Sequence, residues 1–151
     1  MIITFSGHAD FCDSKECKGK LLAFLEEKVK DKPCYFYLGN QGFFDAFAYA
    51  CCKEYKERHP DVMLVLVTPY FSCEYQEKHL KEAKNRYDLI IYPEIEKVPK
   101  RFAIIARNEY MVENADFLVA YVSHSWGGAY KTYQYAKKKG KTIFNLSTFN
   151  L

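Results

Sequence analysis

Phe117-Leu118-Val119-Ala120-Tyr121-Val122 runs directly into Ser123-His124-Ser125-Trp126-Gly127-Gly128-Ala129-Tyr130. An unbroken apolar run of this kind reads as a strand buried on both faces. The polar turn and paired glycines that follow lead into a helix opening at Ala129. Such an order sets unpaired backbone N–H groups, and the positive end of a helix dipole, at the carboxyl end of a strand. That is a place suited to an anion such as phosphate.

The same alternation of short apolar runs and amphipathic stretches fills the rest of the chain. Further strands are expected at Ile2–Phe5, Cys34–Leu38, Val62–Val67, Leu89–Tyr92 and Thr142–Asn145. Between them Leu21, Leu22, Leu25 and Val29 recur at helical spacing. So do Phe44, Phe47, Ala48, Cys51, Cys52 and Tyr55, and later Ala129, Thr132, Tyr133 and Ala136. Ser72 is an expected N-cap for a helix over 74–86, Arg101–Asn114 reads as a helix, and Gly140 stops the last one. Strand–helix repetition with right-handed crossovers predicts one three-layer α/β domain over residues 1–151. Its mostly parallel sheet would hold about six strands, with helices on both faces.

Composition narrows the function classes. The 151 residues, 49% hydrophobic and 27% charged, suit one globular domain with a sizeable core. With 13 Tyr and 12 Phe, many rings must be core packing, so an aromatic residue alone does not mark a base-stacking surface. The net charge is only +3 and no long basic block occurs, so nucleic acid is not expected as a partner. The charge is uneven, however: no Asp or Glu follows Asp116, while Lys131, Lys137, Lys138, Lys139 and Lys141 do. Lys137–Lys139 read most simply as a solvated helix end complementing its dipole. Six cysteines without a Cys-x-x-Cys, and a strand at the very start of the chain, point to free thiols in the cytoplasm. No apolar run approaches the roughly 20 residues of a membrane span, so no membrane partner is expected.

In a parallel sheet of this kind, ligands bind outside the carboxyl ends of the strands, near the point where strand order reverses. The loops there decide the candidate site. After the first strand come Ser6-Gly7-His8-Ala9-Asp10, with a glycine for close backbone approach and short hydrogen-bonding side chains. His8, Cys12 and Cys17 match no zinc spacing, and neither a metal nor a cofactor is expected. After the second strand, Gly39-Asn40-Gln41-Gly42-Phe43-Phe44-Asp45 repeats the strand–glycine–helix order without a full Gly-x-Gly-x-x-Gly fingerprint. Asp45 would suit either a helix dipole or a ribose hydroxyl. Arg107 follows Ala103-Ile104-Ile105-Ala106 and so sits on a partly buried face. It would need a bound anion, or an internal partner such as Glu109, Glu113 or Asp116. Ser123-His124-Ser125 lacks both the nucleophile elbow and a following acid, which argues against a serine hydrolase. Trp126 would either cover a base or seal its loop.

Together these motifs resemble the SLOG superfamily, which joins the DprA/Smf proteins to the LOG phosphoribohydrolases, and within it the small YpsA-like branch. The resemblance rests on Thr4-Phe5-Ser6-Gly7-His8, Gly39–Asp45 and Thr68-Pro69-Tyr70. It rests also on Arg107-Asn108-Glu109-Tyr110-Met111-Val112 and on Gly127-Gly128-Ala129 leading to Tyr135-Ala136-Lys137-Lys138-Lys139-Gly140-Lys141. It implies a Rossmann-like fold that binds nucleotides or nucleotide-derived ligands, with self-association possible. LOG members cleave the N-glycosidic bond of nucleoside 5′-monophosphates, using a Gly-Gly-x-Gly-Thr-x-x-Glu segment. Its first glycines match Gly127 and Gly128, but Tyr130 and Lys131 replace the next glycine and the threonine. Tyr133 and Gln134 stand where glutamates are expected. Glycosidic cleavage needs a carboxylate, which here would have to come from Asp10, Asp45, Glu109 or Glu113.

Binding is therefore expected over catalysis. The expected contacts are Ser6, Gly7, His8, Gly39, Asn40, Gly42, Asp45, Arg107, Ser123, Ser125, Gly127, Gly128, Ala129 and Thr132, with Arg107 the one candidate catalytic residue. Two alternatives remain: a LOG-like hydrolase with a relocated carboxylate, and a protein- or single-stranded-DNA-interaction module on the same fold.

Overall fold

A computed structural model describes residues 1–69 and 76–148. The expected Ser72 cap and the Tyr70 end of the Thr68-Pro69-Tyr70 motif lie outside these. Six strands form one sheet: β1 (Ile2–Gly7), β2 (Cys34–Leu38), β3 (Val62–Val67), β4 (Leu89–Ile91), β5 (Phe117–Tyr121) and β6 (Thr142–Asn145). Their order is β4-β3-β2-β1-β5-β6 and every pairing is parallel. The connecting helices are α1 (Lys15–Val29), α2 (Phe43–Arg58), α3 (Lys81–Arg86), α4 (Ala103–Asn114) and α5 (Gly128–Lys138). A π-helical turn, Gln76–Leu80, precedes α3, and a 3-10 turn, Lys100–Phe102, precedes α4.

The period-2 geometry of the strands sorts their side chains onto two faces. Ile3, Phe5, Phe36, Leu38, Leu64, Leu66 and Val119 pack with α1 and α2. Leu118, Ala120 and Val122 pack with Val112 of α4 and with Ala129 and Ala136 of α5, while Tyr37, Val65 and Val67 meet Met111 of α4. Both faces are thus covered, which is why the strand sequences are apolar throughout rather than alternating. The fold is the expected three-layer, Rossmann-like α/β architecture.

Local polar contacts fix the strand entries and exits. Asp116 Oδ2 accepts from the Ile2 N–H of β1 at 2.8 Å, and Asp88 Oδ2 accepts from the Leu64 N–H of β3 at 2.8 Å, so each aspartate ties the entry of the strand it precedes to the neighbouring strand. Val122, expected in β5, falls outside its ladder. The Asn145 carboxamide supplies its backbone partners instead, accepting from Val122 N–H at 3.0 Å and donating to Val122 O at 3.1 Å. That bracket holds the turn that follows β5. The α1 N-cap is Ser14, whose Oγ accepts from the Cys17 N–H at 3.1 Å.

At the amino end of β2 the chain leaves α1 through Lys30 and Asp31, both left-handed (φ 48° and 60°). His59 clamps this turn: Nδ1 meets Asp31 Oδ1 at 2.6 Å, Nε2 meets Glu26 Oε1 at 2.9 Å, and the ring lies on Tyr55 at 4.0 Å. The Glu26 hydrogen bond, seconded by Asp31, raises the His59 pKa above its ordinary 6.5. The clamp's stabilisation is therefore complete below pH 6.5 and is lost as pH rises through the raised value. Because both carboxylates are exposed to water, we expect about 1 kcal/mol or less. Urea denaturation of wild type and His59→Gln at pH 5.5 and 8.5 checks this: the gap between them should shrink at the higher pH.

Candidate functional site

β2, β3 and β4 lie on one side of β1, and β5 and β6 on the other. Loops leaving β1 and β5 therefore part in opposite directions and open a crevice at the strands' carboxyl ends. A cleft of about 370 Å³ lies there, within the size range of small-molecule sites. The β1 end contributes Phe5 and Ser6 through Asp10. The start of α2 gives Gln41 and Asp45, and α4 gives Ile104, Arg107, Asn108 and Met111. The turn before α5 supplies His124 and Trp126 through Ala129.

Two helices start beside this cleft, and both start at a glycine. Gly42 (φ 92°, ψ −180°) and Gly127 (φ 90°, ψ 177°) hold conformations that L side chains rarely adopt. At Gly42 a Cβ would also fall 2.7 Å from Ala9 Cα, because the entry to α2 lies against the β1 loop. The Phe43 N–H donates to Ala9 O across that contact at 2.9 Å. The two starts differ in charge. Asp45 sits in the first turn of α2 and its Oδ2 accepts from the Gln41 N–H at 2.8 Å. The start of α5 has neither an acidic residue nor a side-chain cap, and Gly127 and Gly128 are exposed. One helix terminus thus holds its own anion, whereas the other leaves its N–H groups and dipole open to one.

The cleft floor is ionic. Arg107 is only 2% exposed; its Nη1 donates to Val67 O at 2.9 Å and its Nε to Asn108 Oδ1 at 2.8 Å. Its charge faces Asp45, itself 9% exposed. Burial pushes the Asp45 carboxyl up to about 6, against the opposing pull of the Gln41 N–H and of Arg107. A carboxyl group in this state changes charge near neutrality and can accept a hydrogen bond or exchange a proton.

The wall beside α5 is aromatic. His8 and His124 stack at 3.7 Å with an 11° angle between rings, and His124 and Trp126 stack at 3.7 Å and 20°. The Ser123 N–H donates to His8 Nε2 at 2.9 Å, which fixes the tautomer with its proton on Nδ1. Burial first, and then His124, hold the His8 imidazole below its ordinary pKa.

Of the expected contacts, Ser6, Gly7, His8, Asp45, Arg107, Gly127, Gly128 and Ala129 line the cleft together. Gly39 lies behind them: a Cβ there would fall 2.8 Å from Asp45 Oδ2 and 3.1 Å from Arg107 Nη1. Asn40, Gly42, Ser123, Ser125 and Thr132 are not among the lining residues. Thr132 Oγ1 instead bonds Gly128 O within α5 at 3.0 Å, and Ser123 serves through its backbone. Asp10 and Asp45, of the carboxylates considered for catalysis, reach the cleft. Glu109 and Glu113 line a separate hollow with Tyr92 and Tyr110. Sequence reasoning did not count Gln41, Asn108 and His124 among the contacts. Gln41 enters through its backbone bond to Asp45 and His124 through stacking, neither of which residue spacing reveals.

The fold is shared with DNA processing protein A from Helicobacter pylori, whose structure addresses a single-stranded DNA binding mode. The TM-score is 0.62 at 15% identity, over 96% of this chain and 64% of that one. The chain thus spans under two-thirds of that protein's length. This likeness corrects the expectation drawn from the modest net charge: a protein of the same fold takes single-stranded DNA, so +3 is no ground for setting nucleic acid aside. Among the described residues no helix is long and apolar enough to cross a membrane. No protein-family model matches the chain. The SPbeta prophage-derived protein YoqJ of Bacillus subtilis (strain 168) is 30% identical over 138 residues, which cover 80% of each chain. The chain belongs to the family of this prophage protein.

Proposed function

We propose that the cleft binds a nucleotide unit, its phosphate on the open start of α5, and that single-stranded DNA presents it. The carrying observation is the contrast between the two helix starts: only that of α5 lacks an anion of its own. The fold shared with a DNA processing protein supports the choice of polymer. So does the acid-free stretch after Asp116, whose lysines add a positive field near α5. Anisotropy of a labelled oligothymidylate should report binding in roughly the 10⁻⁴–10⁻⁶ M range that weakens steeply with salt. No binding at 50 mM salt and 1 mM protein would overturn this reading.

A second reading has its own observation, the buried Asp45 carboxyl at about 6 on the cleft floor. An internal deoxynucleotide has no free sugar hydroxyl for it, whereas a nucleoside 5′-monophosphate offers a ribose diol. In this reading the 1–151 chain is a single cytoplasmic domain of the YpsA-like branch. It senses such a ligand, or splits its N-glycosidic bond with Asp45 in place of the missing glutamate. Calorimetry with nucleoside monophosphates, and chromatography for released base, separate these outcomes. Asp45→Asn should weaken ribonucleotide binding and abolish any base release while leaving oligothymidylate binding unchanged.

A further inference from the structure

We infer that Trp126, backed by His124 and His8, is a nucleobase platform, so that the cleft's ligand is recognised by a stacked base as well as by its phosphate. This rests on the nucleotide reading of the cleft. The indole lies flat on His124 on one side, yet Trp126 is 68% exposed. Its exposed area is therefore its other face and its edges, so Trp126 does not act as a plug that seals the loop. A large aromatic residue in water gains nothing for folding by that exposure.

The ladder beneath it is anchored in the core. His8 is buried, bonded through Nε2 to the Ser123 N–H, and set edge-on to Tyr121, which packs on Phe11 in the core. His124 Nδ1 is buried without a hydrogen-bond partner among the described residues. Stacking above and below, not hydrogen bonding at that nitrogen, thus sets the ring's plane. A flat ring already held by two others loses little freedom when a base settles on it. Trp126 immediately precedes Gly127, so a base on its face and a phosphate at the start of α5 can belong to one nucleotide. Stacking of this kind tolerates any base, because every base has a π-face.

The chain has one tryptophan, so its fluorescence reports this site alone. Titration with thymidine 5′-monophosphate or oligothymidylate should quench it, while ribose 5-phosphate, which lacks a base, should not. Quenching that saturates with the mononucleotide identifies a free nucleotide as the source, and a requirement for longer chains identifies a strand. Trp126→Ala should weaken the base-bearing ligands about 5- to 150-fold and leave ribose 5-phosphate binding, read by calorimetry, unchanged. Trp126→Phe should recover most of the loss. Equal binding of the base-bearing ligands by wild type and Trp126→Ala overturns the platform while the nucleotide reading stands. Absence of all binding by wild type overturns the nucleotide reading and the platform with it.

Discussion

Arg107→Ala should destabilise the protein by about 3–5 kcal/mol at pH 8, the cost of emptying a fully buried, hydrogen-bonded site beside a buried carboxylate. The guanidinium is among the largest fully buried side chains, and it bonds Val67 O at the end of β3 and Asn108 on its own helix. Its loss takes a donor from a strand end and leaves the buried Asp45 without the positive charge it faces. Asp45 has an escape, because its pKa already stands at about 6 and would climb further without the cation. Protonation then removes the stranded charge. The penalty should accordingly be smaller at pH 5, where Asp45 is largely neutral in both proteins, than at pH 8. Urea denaturation at the two pH values measures it. A cost below about 1 kcal/mol at both would show that Arg107 does not hold the cleft floor. Arg107→Lys should fall between, since an ammonium restores charge but not the planar fork.

Much of the fold was legible because its determinants are local. The apolar runs at Cys34–Leu38, Val62–Val67 and Thr142–Asn145 match β2, β3 and β6 residue for residue. Val122 departs from β5 because its backbone is bonded by the Asn145 side chain, a long-range contact that no run of apolar residues signals. The position of β4 at the sheet edge was likewise closed to sequence reasoning, since strand order depends on crossovers rather than composition.

The candidate site divides along the same line. Its glycines and Asp45 announced themselves through turn and helix-start chemistry, and Arg107 through its apolar neighbours. The partners that give these residues meaning are distant: Arg107 faces Asp45 from another helix, and His8 meets His124 across two loops. Trp126 stood in the sequence with two readings, a base cover or a loop seal. Only its exposure in the folded chain separates them.

Asp45→Asn should stabilise the protein at pH 8 while weakening ribonucleotide binding. Burial raises the Asp45 pKa from an ordinary 3.8 to about 6, so the folded state favours the protonated acid. The group's contribution to stability is then complete below pH 3.8 and is lost as pH rises through about 6. A shift of this size corresponds to a loss of about 3 kcal/mol. Asparagine keeps the shape and an oxygen for the Gln41 N–H, but carries no charge to bury. Its amide N–H groups would face Arg107 less well than a carboxylate does, which trims the expected gain to about 1–2 kcal/mol. Denaturation curves from pH 4 to 8 should show the wild-type slope between pH 4 and 6 flattened in the variant. A helix-capping carboxylate in water would behave in the opposite way, since its replacement removes a favourable dipole contact and lowers stability at neutral pH. Stability gained together with ribonucleotide affinity lost would therefore mark Asp45 as a carboxylate held for a ligand at a cost to the fold. Stability lost with affinity unchanged would reduce it to the cap of α2.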